Sequence, residues 1–262
     1  MTAALGLGAM IGVLLGLLGG GGSILALPAL VYGAGLPPAS AVPASLLVVG
    51  VSSATAVLPR IRAGQVRWRI AAVFGGAGAL AAFGGAAINR TLPPQAILIG
   101  FAALMAVAGW RMLAGDAPAG GACALPGGGV NWRSCLPRSV AAGAAAGALT
   151  GLFGVGGGFL IIPALVLALG LPMTAAVGTS LLIVVVNSAA GFVAHADGAG
   201  LDYTVIGAFT TAAVAGSLAA ARLGRHLDAE RLRRWFAYLV LVVAALVLAR
   251  GVLDLVAPAG WA

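Results

Sequence analysis

The sequence predicts an all-α polytopic membrane protein in two homologous halves, arranged as inverted repeats. Each half is expected to hold a broken, re-entrant helix pair and three transmembrane helices. Three observations lead there. First, the chain of 262 residues is 61% hydrophobic and 8% charged, with a mean hydropathy of +1.11, whereas a soluble domain is about 25% charged. Its length accommodates roughly seven to nine apolar segments of about 20 residues. Second, a glycine-rich stretch occurs twice: GVLLGLLGGGGSILALPAL from Gly12 to Leu30, and GALTGLFGVGGGFLIIPAL from Gly147 to Leu165. The copies keep one register, at an offset of 135 residues, as far as Ser53-Ala54 on Ser188-Ala189. A shared amino-acid bias would match residue types but would not hold that register, so the chain carries an internal duplication. Third, the net charge of +8 contains no lysine, and the arginines gather between particular helices, as cytoplasmic loops do. No soluble domain offers a basic surface, so nucleic acid is not an expected partner.

The first apolar stretch, Ala3 to Gly35, is too long for one helix across ~30 Å of hydrocarbon at ~1.5 Å per residue. It divides at Gly19-Gly20-Gly21-Gly22, because each glycine weakens a helix by roughly 1 kcal/mol relative to alanine. Half-helices are expected over 4–18 and 23–34. Leu36-Pro37-Pro38 stops the second, and a helix over 39–58 ends at Pro59, where the missing N–H and the ring disfavour continuation. The sequence RIRAGQVRWR follows as a basic loop. Helices are expected over 70–88 and 95–113, joined by a turn at Pro93-Pro94. Residues 115–137 are rich in glycine and proline and read as a linker. It joins a first repeat, 1–114, to a second, 138–262. The second repeat gives half-helices over 139–153 and 158–169, then helices over 174–194, 204–222 and 233–254. No arginine precedes Arg60, so the first segment lacks the charged start of a cleaved signal and is expected to stay.

The arginines decide the expected arrangement. In the first repeat they lie in the loop after the second segment, at Arg60, Arg62, Arg67 and Arg69. The matching loop of the second repeat, Ala194 to Tyr203, holds Asp197 and Asp202 and no arginine. There the basic cluster comes one loop later, at Arg222, Arg225, Arg231, Arg233 and Arg234. Both clusters face the cytoplasm only if an even number of crossings separates them. That requires each broken segment to dip in and return, which leaves three crossings per half and inverts one half relative to the other. Eight simple spans with parallel halves would strand one basic loop on the wrong side. In the inverted arrangement the linker is cytoplasmic, so Cys123 and Cys135 are expected as reduced loop thiols. Their spacing matches no zinc pattern.

Backbone that leaves a helix inside a bilayer must be buried in protein or line a water-filled cavity. Paired breaks at corresponding positions therefore point to a transport site. The N–H groups at Gly21, Gly22 and Ser23, and at Gly156, Gly157 and Gly158, would face an anion near the midplane. Close helix packing is the plainer use of such glycines. The following helices contribute Ser45 and Ser52 on one face, and Ser180 and Asn187 on one face of the other, with Thr179 beside them. Hydroxyls and an amide can bind oxyanion oxygens, or can equally bond between helices. Asn187 is the strongest single candidate, since an embedded amide is the costliest to leave unused. His195 could relay protons or simply sit at the interface. The acids, Asp116, Asp197, Asp202, Asp228, Glu230 and Asp254, all fall in loops or near helix ends. No midplane carboxylate serves a cation or metal. Gly154-Val155-Gly156-Gly157-Gly158 follows a membrane helix rather than a strand, so it is not a dinucleotide fingerprint. No catalytic residue set, metal site or cofactor is expected.

These motifs resemble the TauE/SafE sulfite exporter family, which is similar to the 4-toluene sulfonate uptake permeases. The resemblance rests on GLLGGGGSILALPAL at 16–30, GLFGVGGGFLIIPAL at 151–165 and TSLLIVVVNSAAGFVAH at 179–195, and it extends over nearly the whole chain. It implies a multi-pass transporter of small sulfur-containing anions, such as sulfite or organosulfonates, in the bacterial inner membrane. The first copy departs from the pattern: Ser23 stands where Gly158 stands in the second, and Pro43-Ala44 replaces Gly178-Thr179. Unequal half-sites are the expected consequence. The expected partners are a small anionic substrate and the lipid bilayer, with a homo-oligomer left open. A passive anion channel and a membrane assembly protein without transport are the competing readings.

Overall fold

The computed structural model describes residues 2–19, 22–89, 91–114, 132–153, 158–195, 203–223 and 228–256. All regular structure among them is helical. The first repeat gives α1 (Thr2–Leu18), α2 (Ser23–Pro28) with a π turn (Ala29–Gly33), α3 (Pro38–Arg62), α4 (Trp68–Asn89) and α5 (Pro94–Ala114). The second gives α6 (Trp132–Phe153), α7 (Gly158–Pro163) with a π turn (Ala164–Ala168), α8 (Met173–His195), α9 (Tyr203–Leu223) and α10 (Ala229–Val256). Among the described residues, four stretches are long and apolar enough to cross a membrane: Ser40–Arg62, Met173–Val193, Thr204–Arg222 and Glu230–Ala249.

The duplication is expressed in the backbone. Pro28 and Pro163 close the two short helices, and each is followed at once by a π turn. Both turns then end alike. Gly35 and Gly170 take φ of +69° and +67°, which glycine adopts without a Cβ penalty. The amide of Leu36 donates to the Leu30 carbonyl, and that of Leu171 to the Leu165 carbonyl, each at 3.1 Å.

Glycine sets how the long helices meet. A Cβ on Gly12 would collide with the Ala213 carbonyl, and one on Gly16 with the Ser217 carbonyl. These residue numbers rise together, so α1 and α9 run parallel. In the reciprocal pair, again one helix from each repeat, a Cβ on Gly143 would strike the Phe74 carbonyl and one on Gly147 the Gly78 carbonyl, so α6 and α4 also run parallel. Small residues at these positions let backbones approach where apolar burial gives no drive against lipid. Helices α3 and α8 differ. A Cβ on Gly50 would meet Ser188 Cβ at 3.1 Å, and one on Gly191 would meet Leu46 Cδ1 at 3.1 Å, so this pair is antiparallel. Between α1 and α2 the chain doubles back: a Cβ on Gly22 would meet Leu15 Cγ at 2.6 Å and the Ile11 carbonyl at 2.7 Å.

These directions put the C-terminal ends of α3, α5 and α9 on one face with the N-terminal ends of α4, α6 and α10. Arg62, Arg67, Arg69, Arg111, Arg133, Arg138, Arg222, Arg231, Arg233 and Arg234 all belong to that face. At its rim Glu230 holds Arg233 at 3.0 Å and Arg234 at 3.1 Å.

Three expectations change. Helix α3 does not stop at Pro59 but continues to Arg62, because in a packed membrane helix neighbouring groups re-satisfy what a proline frees. Helix α6 begins at Trp132, so residues 132–137 are helical. Cys135, expected as a reduced loop thiol, is buried in α6 and disulfide-bonded. Its Sγ lies 3.5 Å from Ser139 Oγ. Cys123 lies outside the described residues.

Candidate functional site

The first break is built on Gly19. Its amide closes α1 on the Leu15 carbonyl at 2.9 Å, and its φ of +74° turns the chain out of the helix. A Cβ there would meet Ser180 Oγ at 2.8 Å, Ile162 Cδ1 at 2.9 Å and Val177 Cγ1 at 3.1 Å. The break of the first repeat is therefore seated against α7 and α8 of the second. Ser180 is buried and its hydroxyl donates to the Val177 carbonyl at 2.9 Å, which leaves oxygen lone pairs toward its surroundings. Gly22 is buried and Ser23 half-buried.

Arg60 stands at the same level. It occupies the last turn of α3 and is only 9% exposed. Its Nη2 donates to the Gly16 carbonyl at 2.8 Å. That carbonyl is among the last of α1, where unpaired oxygens and the negative end of the helix dipole favour a cation. The sequence assigned Arg60 to a cytoplasmic loop, so its burial is a correction. The signal that could have found it is the spacing Ser52, Ala56, Arg60, one helical face by fours. All three residues are buried.

The other predicted residues separate into groups. Ser52 is fully buried, as is its neighbour Ser53, and neither hydroxyl has a hydrogen-bond partner among the described residues. A buried hydroxyl left so costs roughly 1–3 kcal/mol. Asn187, the repeat counterpart of Ser52, is half-buried. Since Gly50 faces Ser188 across the antiparallel pair, Ser52 and Asn187 stand within about one residue of the same level. Ser180 is one heptad from Asn187, about 10 Å along α8. The first break thus sits about two turns from the centre of the α3–α8 pair.

Thr179 is committed elsewhere. It is buried and accepts the Arg67 amide at 3.1 Å, which caps the approach to α4. Ser45 is buried and back-bonds to the Val42 carbonyl at 2.7 Å. Gly158 is buried at the start of α7. Gly21, Gly156 and Gly157 lie outside the described residues. His195 is the last residue of α8 and the repeat counterpart of Arg60; its side chain lies outside the description.

A groove of about 280 Å³ runs between α3 and α8, lined by Leu46, Val51, Ala54, Val185, Ser188 and Phe192. An apolar wall cannot offset the dehydration of an anion, so the groove is not an anion site. Among the described residues no three His, Cys, Asp or Glu side chains group to hold a metal. The chemistry on offer is one buried guanidinium, hydroxyls and an amide, which suits binding an anion by charge-assisted hydrogen bonds.

A family model described as sulfite exporter TauE/SafE matches residues 4–247. The chain is 35% identical over 260 residues to a probable membrane transporter protein of Xylella fastidiosa strain 9a5c, covering 98% of each chain. It is 36% identical, with the same coverage, to a probable membrane transporter protein of the Temecula1 strain. It is 24% identical over 205 residues to the probable membrane transporter protein YdhB of Bacillus subtilis strain 168, covering 75% of this chain and 79% of that one. No solved structure matches the chain.

Proposed function

The chain belongs to the sulfite exporter TauE/SafE family of membrane transporters, and from that membership we propose that it is a secondary carrier exporting small sulfur-containing anions, such as sulfite or organosulfonates, across the bacterial inner membrane. The observation that carries this reading is Arg60, a guanidinium buried beside the first helix break. An ionisable group between membrane helices is rare and costly to bury, which points to a functional role by default. Its sign selects an anion. The basic face gathers the anion from the cytoplasm. Arg60 and Ser180 receive it at the break of the first repeat, and Ser52 and Asn187 hand it on at the centre.

The antiparallel α3–α8 pair supports inverted halves. Two copies related by an axis along the membrane normal would set these equivalent helices parallel. The reciprocal pairs, α1 on α9 and α6 on α4, fit the same relation. In this reading each break is the tip of a re-entrant hairpin, and rocking of one half against the other exposes the site alternately. The orientation follows the arginines. The Cys135 disulfide argues for an oxidising side, but it is one bond set against most of the chain's cations, and topology follows cation distribution.

Counterflow tests the proposal. Proteoliposomes loaded with unlabelled sulfite are placed in labelled sulfite, with thiosulfate, sulfate and sulfoacetate as competitors. The expected result is transient accumulation of label, with flux that saturates and is inhibited by the sulfur anions. A passive channel gives flux without accumulation, and that outcome would remove the carrier.

A further inference from the structure

We propose that the groove between the C-terminal ends of α3 and α9 binds the phosphate of an anionic phospholipid. The two helices run side by side in the same direction, joined where Thr55 Oγ1 and Ser217 Oγ lie 3.3 Å apart. Beyond that contact they part to form a cavity of about 320 Å³, lined by Thr55, Leu58, Pro59, Arg62, Leu218 and Arg222. Arg62 is the last residue of α3, and Arg222 lies in the last turn of α9. Two guanidiniums therefore share one cavity at the membrane's basic face. The salt bridges of that face, among the described residues, engage Arg231, Arg233 and Arg234 instead.

The cavity's shape and position select a lipid over the transported anion. Leu58 is 53% exposed and forms the outer wall with Pro59 and Leu218, an apolar flank of the kind an acyl chain covers. Arg62 and Leu58 each lie two residues from Arg60, and so about 200° from it around α3. The groove is thus on the opposite side of the helix from the buried guanidinium. Thr55 does not open a path inward, because its hydroxyl already donates to the Ser52 carbonyl at 2.8 Å. A pair of arginines at the headgroup level beside apolar helix surface is the chemistry that recognises a phosphodiester.

The test uses the full-length protein in detergent and native mass spectrometry. The probes are dioleoylphosphatidylglycerol, dioleoylphosphatidylcholine and inorganic phosphate. The expected result is a retained phosphatidylglycerol whose affinity falls at least ~10-fold in the Arg62→Ala/Arg222→Ala double variant. The Arg62→Lys/Arg222→Lys variant should recover part of it, and Arg231→Ala on the same face should bind like wild type. An unchanged thermal midpoint in phosphatidylcholine shows that the alanine variant is folded. Should it not fold, the lysine variant serves, with a loss of bidentate contact expected. Equal retention of the two lipids would overturn the proposal, as would wild-type affinity in both double variants. Displacement of the lipid by an equal concentration of inorganic phosphate would make this a free-anion site and overturn the lipid reading.

Discussion

Gly147→Val is expected to abolish accumulation of folded protein, and Gly12→Val to do the same. A Cβ at Gly147 falls on the Gly78 carbonyl, and one at Gly12 on the Ala213 carbonyl. These are backbone atoms, so no rotamer change relieves the collision and the helices must separate. Ordinary overpacking costs about 1–3 kcal/mol. Parting α6 from α4, or α1 from α9, also loses the contacts along the whole interface. The cost should exceed ~3 kcal/mol, a large share of a stability that is typically about 5–15 kcal/mol. Gly6 and Gly76 are the controls, since nothing lies within 4 Å of a Cβ at either. Alanine there should be neutral or stabilising by about 0.5–1 kcal/mol, through the entropy of the unfolded chain. Yield and thermal midpoint on size-exclusion chromatography decide it. A wild-type midpoint for Gly147→Val would mean that α4 and α6 do not pack as described.

Arg60→Met should keep most of the fold and lose transport. Methionine occupies similar space along the helix but leaves the Gly16 carbonyl without its donor, at a cost of roughly 1–3 kcal/mol. If the guanidinium also holds the anion, removing a charged hydrogen bond worth about 1.5–3 kcal/mol lowers counterflow roughly 10- to 100-fold. Arg60→Lys keeps the charge and loses the planar fork, so it should fall between the two. Arg138→Met, on the exposed N-terminal part of α6, removes one of many cations of the basic face and should lower transport far less than Arg60→Met. The two roles of Arg60 are separable. A purely structural arginine would lower the thermal midpoint and leave the concentration of half-maximal flux unchanged, whereas an anion-binding one raises that concentration.

The division between what the residues foretold and what only the fold revealed has a physical basis. Repetition and glycine breaks are local signals, so the two short proline-ended helices and the order of helices were readable within a few residues. Pro59 misled because proline's cost in a helix depends on neighbours that a sequence does not show. Arg60 misled for the same reason: composition placed it with Arg62 in a basic loop, while one more turn of α3 rotated it inward onto Gly16. The register of α3 against α8 is tertiary. It put Ser52 level with Asn187 and left Ser180 about two turns away, although all three looked alike as polar residues on membrane helices. Thr179 looked the same, yet it serves the Arg67 amide.

The claim that the anion is bound by the polar residues at the break and at the centre is tested most directly by equilibrium binding. Labelled sulfite would be titrated onto purified wild-type protein, Ser180→Val and Asn187→Leu, each confirmed folded by its thermal midpoint. The account predicts saturable binding to wild type, displaced by sulfoacetate or thiosulfate, and at least ~10-fold weaker in each variant, the loss of one hydrogen bond to a charged group. Binding of wild-type affinity in both variants would contradict it.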